Sequence, residues 1–423
     1  MDDVARYRKR WKSLCSERSS WESHWRELSE HILPRHSRLS GDTPNDGRKR
    51  SSKIINSAAT KALRVLSAGM MSGLTSPARP WFRLTLPDAS LAEQGPVREW
   101  LDAVERHMAT ALAKSNVYNI LHGVYRDLGL IGTAPFRVEP DDEDGLRAYA
   151  MPVGQYALAN SARLAIDTTY RELSMTVGQL VEQFGKNACS GPVRDMYERG
   201  DVDHWVKVMH VIEPNRDMQP GRADAAGMPW RSVWFEASSN EDRFLSIGGA
   251  HENPVMAPRW DLAGEDVYGS SPAMDALGDV KGLQLLERRK LQTVDKIVTP
   301  PMVGPQSLQH NRVSLLPGDT TYLPDNAAGA RFEPAMKVEP NAVQVIELSI
   351  QNHKERIDSA FFADLWLMLA ASDRRQITAR EVAERHEEKM LQLGPVLERL
   401  QDELLDPLVD RCFGILLRGG QLP

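Results

Sequence analysis

At 423 residues the chain is too long for one small core, so two or three structural units are expected; 41% hydrophobic and 26% charged residues mark a globular chain, not a disordered one. A net charge of −6 argues against a protein that grips nucleic acid over its whole surface, because phosphate contacts need clustered Lys and Arg, but it does not exclude one past which DNA slides. No apolar run reaches the roughly 18 residues that span a bilayer, MDDVARYRKRW lacks the apolar core of a signal peptide, and three scattered cysteines, Cys15, Cys189 and Cys412, fit neither a disulfide framework nor a zinc site, which points to synthesis in reducing cytoplasm.

The first predicted element is an amphipathic helix over residues 4–33. Val4, Tyr7, Trp11, Leu14, Trp21, Trp25, Leu28 and Ile32 form its stripe, with Arg18 in the one polar slot, and Pro34 ends it. Such a stripe reads as a face docked on a core. Residues 35–50 are a polar loop closing on Arg48-Lys49-Arg50, a basic run that could touch phosphate but reads first as a solvated helix start. A second helix covers 51–73; Ile54, Leu63, Leu66 and Met70 supply bulk, while Ala58, Ala62, Gly69 and Gly73 let a neighbour approach closely. The segment SPARPWFRLTL then turns and is expected to enter a strand headed by Trp81 and Phe82. Two further helices, over 96–130, break near Ser115-Asn116.

From Ala134 to Leu245 the pattern changes. Short strands are expected at 135–139, 146–151, 164–174, 204–213, 231–237 and 243–247, separated by acidic and Gly/Pro turns such as DDEDG. One short helix among them is capped by Thr176 and closed at Gly185. An irregular NPVMAPRW stretch follows, and a YGSSP turn opens a long helix from Pro272 to Val298. TPPMVGP, LLPGDTTYLPD and RFEPAMKVEPN give about 45 residues of short strands and turns. A second long helix runs from Asn341 to about Leu369, and the polar stretch Ala371 to Gln376 interrupts it. A third is capped by Thr378 with Glu381 at the capping-box position, kinks at Gly394-Pro395 and continues to about Leu417. The fold class is α+β, mainly helical, without an internal repeat.

A search for chemistry finds little. There is no GxxxxGK[ST], no GxGxxG after a strand, and no HExxH; Arg385-His386-Glu387-Glu388-Lys389 lacks the second His. Gly69-Met70-Met71-Ser72-Gly73 has the wrong spacing for a nucleophile elbow. The acidic run Asp141-Asp142-Glu143-Asp144 reads as a solvent-facing turn, and His251-Glu252 has no partner at ligand spacing. No catalytic residue, metal site or cofactor is expected.

The order of elements says more. Two helices of about 28 residues extend roughly 40 Å each at ~1.5 Å per residue. Leu283, Leu286, Leu291 and Val294 on the first, and Ile346, Ile350, Ile357, Phe361 and Leu365 on the second, need partners. A ring of subunits meeting head to tail supplies them.

The run from NPVMAPRW through YGSSPAMDALGDVKGLQ, then PPMVGP and ITAREVAERHEEKMLQLGPVLERLQDELLDPLVDR, resembles the portal proteins of short-tailed, T7-like bacteriophages. So does INSAATKALRVLSAGMMSGLTSPARPWFRL, so the likeness covers essentially the whole chain. It implies a homo-oligomeric ring, usually of twelve subunits, at one capsid vertex of a virion. Double-stranded DNA is packaged and ejected through it. The partners implied are the terminase large subunit, a tail adaptor protein, and capsid and scaffolding proteins; no membrane is involved. The resemblance assigns residues 1–270 to a wing, 271–298 to a first stem helix, and 299–341 to an α/β clip facing motor and adaptor. It assigns 342–369 to a second stem helix, 370–377 to a tunnel loop, and 378–423 to a wing helix leading towards a crown. Portals of this group usually continue past that helix, whereas this sequence stops at Gly419-Gly420-Gln421-Leu422-Pro423.

By that likeness Asp373, Arg374, Arg375 and Gln376 lie nearest the DNA, with the two arginines either transient phosphate contacts or partners of Asp373 or of a neighbouring subunit. Lys281, Arg288, Arg289 and Lys296 either face the lumen or bridge to acids such as Glu347, Glu355 and Asp358, with bridging between subunits expected for most of them. Met302, Leu315, Tyr322 and Phe332 are clip residues that pack clip on clip. The same helices would also suit a non-viral or non-channel helical scaffold or adaptor protein. An enzyme with a diffuse site is a third reading; ATP hydrolysis is expected to belong to a separate motor.

Overall fold

Helix α1 (Val4–Ile32) serves two cores in turn. Val4, Tyr7 and Leu14 pack on a β-sheet, whereas Trp25, Leu28 and Ile32 enter a larger helical core. Arg18 sits between them. Its guanidinium donates to the Tyr156 carbonyl and to Glu22 (2.8 Å), which is how a buried charge is tolerated in the stripe. The structure, a computed structural model of the chain, describes residues 4–35, 38–39, 47, 51–88, 91, 94–239, 241–303, 333–334, 341–372 and 393–423.

Helices α2 (Ala58–Leu74), α3 (Gly95–Lys114) and α4 (Val117–Ile131) follow. The strand expected at Trp81 and Phe82 does not form; the described residues from 76 to 88 are irregular. Pro77, Pro80 and Pro87 remove the donors a ladder needs. The segment is held by side chains instead: Trp81 Nε1 donates to Tyr118 Oη (3.1 Å), and the Leu84 N–H donates to Glu105 (2.6 Å).

The β-rich region forms two antiparallel sheets. Strands β1 (Phe136–Asp141), β2 (Gly145–Ala150) and β8 (Val255–Met256) make a three-stranded sheet in the order β2-β1-β8. Strands β3 (Tyr156–Asn160), β4 (Ile166–Thr176), β5 (Trp205–Pro214), β6 (Trp230–Glu236) and β7 (Ser246–Ala250) make a five-stranded meander. Helices α5 (Val177–Phe184) and α6 (Gly191–Glu198) lie between β4 and β5. The period-2 pattern assigns the faces. Met209, Val211, Val233 and Phe235 meet α1, and Val208 and Trp234 meet α5 and α6 on the other side. Six expected strands correspond to β1, β2 and β4 to β7, with the last shifted three residues downstream; β3, β8 and α6 were not expected. Thr176 and Gln179 complete a capping box at α5, and Gly185 closes it as expected.

Every residue of the YGSSP turn is used. Tyr268 is buried against Trp25 (ring centroids 5.1 Å) and its hydroxyl accepts from the Leu158 N–H (3.1 Å). The Gly269 N–H donates to Thr133 Oγ1 (2.8 Å), and Ser270 bridges to Asp261. Gly132, with φ 83°, and Gly269 cross so closely that a Cβ on Gly132 would lie 2.2 Å from the Gly269 oxygen. Ser271 caps helix α7 (Pro272–Val298), donates to the Leu130 carbonyl (2.9 Å), and is followed by Pro272 at the first helical position.

Strands β9 (Met302–Val303) and β10 (Glu333–Pro334) pair after α7. Helix α8 (Asn341–Ala360) packs antiparallel to α7, and α9 (Ala363–Ser372) follows. The second long helix is therefore not continuous. Phe362 takes φ 54°, the left-handed region, and the Phe362 N–H donates to the Ser359 carbonyl (3.0 Å), tightening the last turn. Phe361 is fully buried and Phe362 packs on Trp260 (ring centroids 6.0 Å), contacts that offset the backbone cost. Of the third long helix the described part is α10 (residues 393–400), a π turn at Gln401–Leu405, and α11 (Asp406–Arg418). Gly394 and Pro395 lie within the helical residues of α10, and residues 378–392 lie outside the described residues.

Candidate assembly and channel surfaces

The first half of α7 is bolted to the rest of the chain. Gln284 is 6% exposed, and its Oε1 accepts from the backbone N–H groups of Ile55 (2.7 Å) and Asn56 (2.8 Å). Its Nε2 donates back to the Asn56 carbonyl (2.8 Å). Asn56 Nδ2 donates to Glu287 (2.6 Å), and Lys281 pairs with Glu27 of α1 (2.5 Å). Ala273, Ala276, Leu277, Val280 and Leu283 complete the buried face.

The second half has no such cover. Leu291 is 60% exposed and Val298 73% exposed, with Val294 and Ile297 also bare. On α8, Val345 (64%) and Leu348 (65%) are in the same condition. Between the helices, Lys290 pairs with Glu347, and Asp279 takes His353 Nδ1 (2.8 Å) and Arg356 Nε (2.8 Å). Burial pushes the Asp279 carboxyl up, but the bonds from Arg356 and His353 outweigh it and hold the group below the ordinary carboxylate range. Gly282 permits the contact: a Cβ there would lie 2.9 Å from His353 Cε1.

Of the residues predicted to need partners, Leu283, Ile350, Ile357, Phe361 and Leu365 find them within the chain, and Leu286 and Ile346 are half-covered. Leu291 and Val294 do not. Of the predicted bridging charges, Lys281 is taken by Glu27 and Glu347 by Lys290. Glu355 accepts from Gln351 (3.0 Å). Asp358 is half-buried at the α8–α9 break; burial, then the nearby Asp364, raises its carboxyl. Arg288, Arg289 and Lys296 are exposed and make no ion pair among the described residues. Met302 lies on β9, paired with Pro334. Leu315, Tyr322, Phe332, Asp373, Arg374, Arg375 and Gln376 lie outside the described residues, as does the basic run Arg48-Lys49-Arg50.

The acidic run is a built turn. Asp141 accepts the backbone N–H groups of Glu143 (3.0 Å) and Asp144 (2.9 Å), and these bonds, the latter foremost, hold its carboxyl below the usual range. Arg147 lies 3.5 Å from Asp144. Asp142 and Glu143 stand exposed at the tip. Among the described residues no group of three or more His, Cys, Asp or Glu side chains is arranged to hold a metal ion, and no helix is long and apolar enough to cross a membrane.

A polar junction at Arg259 was also not anticipated from the sequence. Arg259, 2% exposed, is held by Glu403 from the π turn and donates to the Leu164 carbonyl (3.0 Å). A lone Arg in NPVMAPRW next to Trp260 was the only trace of it.

A sequence profile for "Bacteriophage head to tail connecting protein" matches residues 4–423. A portal protein of Salmonella phage epsilon15 is 47% identical over 411 residues, covering 97% of this chain and 74% of that one. A probable portal protein of Bordetella phage BPP-1 is 44% identical over 414 residues, covering 98% of this chain and 74% of that one. Neither name speaks to the T7-like subgroup. A solved chain from a virion of native gene transfer agent particle aligns at 12% identity over 70% of this chain and 73% of that chain, with a TM-score of 0.30, too slight to bear on the fold.

Proposed function

Because the chain belongs to the bacteriophage head-to-tail connecting protein family and has the portal function of that family, we propose that its copies close into a ring whose channel carries double-stranded DNA. In this reading the wing is residues 1–270, and the stem is built from 271–298 and 342–369, the latter bent at Phe361-Phe362. The clip is 299–341 and meets first the terminase large subunit and later a tail adaptor. The tunnel loop, 370–377, brings Arg374 and Arg375 to the DNA, and 378–423 returns to the wing. The ring hydrolyses no ATP; the motor docked on it does.

One observation carries this reading: the antiparallel α7–α8 pair is anchored at one end and bare at the other. Leu291, Val294, Val298, Val345 and Leu348 together expose an apolar surface that an isolated soluble chain has no reason to keep. Arg288, Arg289 and Lys296 lie on the same bare end, available to acids of a neighbouring subunit. Adjacent copies packed head to tail would cover both. Negative-stain images of the purified chain test it. Rings with a central hole are expected; a monomer at high concentration overturns the ring and favours a scaffold or adaptor without a channel.

A further inference from the structure

The wing holds a polar cavity that the portal reading leaves unused. Its volume is about 370 Å³, and Arg6, Arg10, Arg216 and Arg231 line it together with Glu213 and Asp217. Arg6 and Arg10 are one helical turn apart on α1 and project the same way. Four guanidiniums against two carboxylates leave a local excess of two positive charges in a chain of net −6. Glu213 is already engaged by Arg6 (2.9 Å) and by the Tyr170 hydroxyl (3.2 Å). Arg10 and Arg216 are exposed and make no ion pair among the described residues.

The cavity lies on the α1 face of the five-stranded sheet, because Glu213 and Arg231 keep the parity of Met209, Val211, Val233 and Phe235. The β1–β2 hairpin, which carries the acidic turn, approaches the opposite face. There Arg137 of β1 bonds His210 (2.9 Å) and lies over the Trp234 ring (5.2 Å). The turn's tip offers two unused carboxylates, Asp142 and Glu143, matching the two unused guanidiniums of the cavity. A socket on one flank and a complementary plug on the other cannot satisfy each other within one subunit. Between copies they propagate head to tail, the geometry that closes rings. A nucleic-acid backbone fits the cavity less well: its continuous run of phosphates would meet Glu213 and Asp217, whereas a turn with two carboxylates matches Arg10 and Arg216 alone.

We propose that the Asp142-Glu143 turn of one copy docks in the Arg10–Arg216 cavity of the next. The contact rests on the ring reading and adds a polar wing seam to the apolar stem seam. The test is charge exchange in the full chain, with ring and monomer populations counted by mass photometry across a dilution series. R10E/R216E and D142R/E143R should each raise the concentration needed for rings by about tenfold, with the loss growing at low salt. The four-fold variant carrying both exchanges should recover most of it. Circular dichroism and melting of each variant should match the wild type, since all four residues are exposed. Rings that form as readily in each two-site variant as in the wild type overturn the contact and leave the ring reading standing. So does a four-fold variant no better than its parents, or an R10E/R216E variant that loses DNA binding but not assembly. A wild type that stays monomeric overturns both.

Discussion

Arg259 gives its backbone N–H (2.9 Å) and its guanidinium Nε (3.1 Å) to the carboxylate of Glu403, 144 residues further on. Glu403 occupies the middle of the π turn Gln401–Leu405, and π turns inside helices often mark functional positions. Here the turn delivers a carboxylate to the junction where NPVMAPRW leads into the first long helix. Helices α10 and α11 are thereby tied to the N-terminal end of α7.

Replacing Glu403 by Ala should destabilise the chain by about 3 kcal/mol, because the Arg259 side chain, 3% exposed, would keep its charge and lose its counter-charge. Thermal melting reads this directly. Arg259→Met combined with Glu403→Leu should melt above the single Glu403→Ala variant, since no buried charge is then left unpaired. Equal melting of all forms would mean the pair contributes nothing.

Gly69 and Gly73 are the close-approach positions expected of α2, and the neighbour is Trp366 of α9. A Cβ on Gly69 would lie 2.2 Å from Trp366 Cδ2, near the rigid root of the ring. Gly69→Ala should therefore cost about 1–3 kcal/mol, by forcing α9 away. Gly123→Ala, at a position where the nearest foreign atom is 3.9 Å away, serves as the control and should melt at or above the wild type.

What could be read from the sequence was what local chemistry writes there. The small-residue face of α2, the Thr176 cap with its Gln179 partner, and the alternation of β4 to β6 are each encoded within a few residues. The break at Phe361-Phe362 is not, because FFADLWLML keeps an apolar helical pattern across it; the bend comes from burying Phe361 and laying Phe362 on Trp260. Strand β8 is two residues long and exists only because β1 offers an edge. Around Trp81 the sequence does carry the signal against a strand: three prolines in eleven residues outweigh two aromatic ones. Of the site, the bare α7 residues Leu291 and Val294 were legible as apolar positions in need of cover; the Arg10–Arg216 cavity was not, since α1 and β5 bring its walls together only in the fold.

His210 should make stability pH-dependent. Its Nδ1 lies 2.9 Å from Arg137 Nη1, which can only donate, so Nδ1 accepts and Nε2 carries the proton donated to Ser232 Oγ (2.9 Å). Burial, then the charges of Arg137 and Arg171, hold the imidazole well below its ordinary value. Below about pH 6.5 the unfolded chain takes up a proton that the folded chain refuses. Folding stability from this residue is thus full above about pH 6.5 and is lost as the pH falls towards the folded value. The loss approaches 1.4 kcal/mol per pH unit at most. Melting curves between pH 7.5 and 5 should show a steeper decline for the wild type than for His210→Gln; parallel declines would clear His210 of the effect.

Arg374 and Arg375 fall in the segment that the portal resemblance assigns to the tunnel loop. Replacing both by Ala should leave ring assembly intact and lower the DNA packaged or retained per particle by roughly a few-fold, because two transient phosphate contacts are lost. Failure to assemble would instead make these residues structural and the loop assignment wrong.

The bare end of the α7–α8 pair gives the sharpest separation between fold and assembly. Leu291 and Val345 are 60% and 64% exposed, so Leu291→Ser with Val345→Ser should change the stability of a single subunit by under about 1 kcal/mol. In a ring the same side chains would be covered by a neighbour, where burying each contributes about 1–2 kcal/mol at every interface. The concentration needed for rings should therefore rise at least roughly tenfold while the melting of the subunit stays put. Leu283→Ser must behave in the opposite way, because Leu283 is fully buried within its own chain. It should lower melting by the ~3 kcal/mol typical of a core truncation before assembly is considered. If Leu291→Ser and Leu283→Ser instead act alike, the far half of α7 packs inside the subunit and does not form an interface between copies.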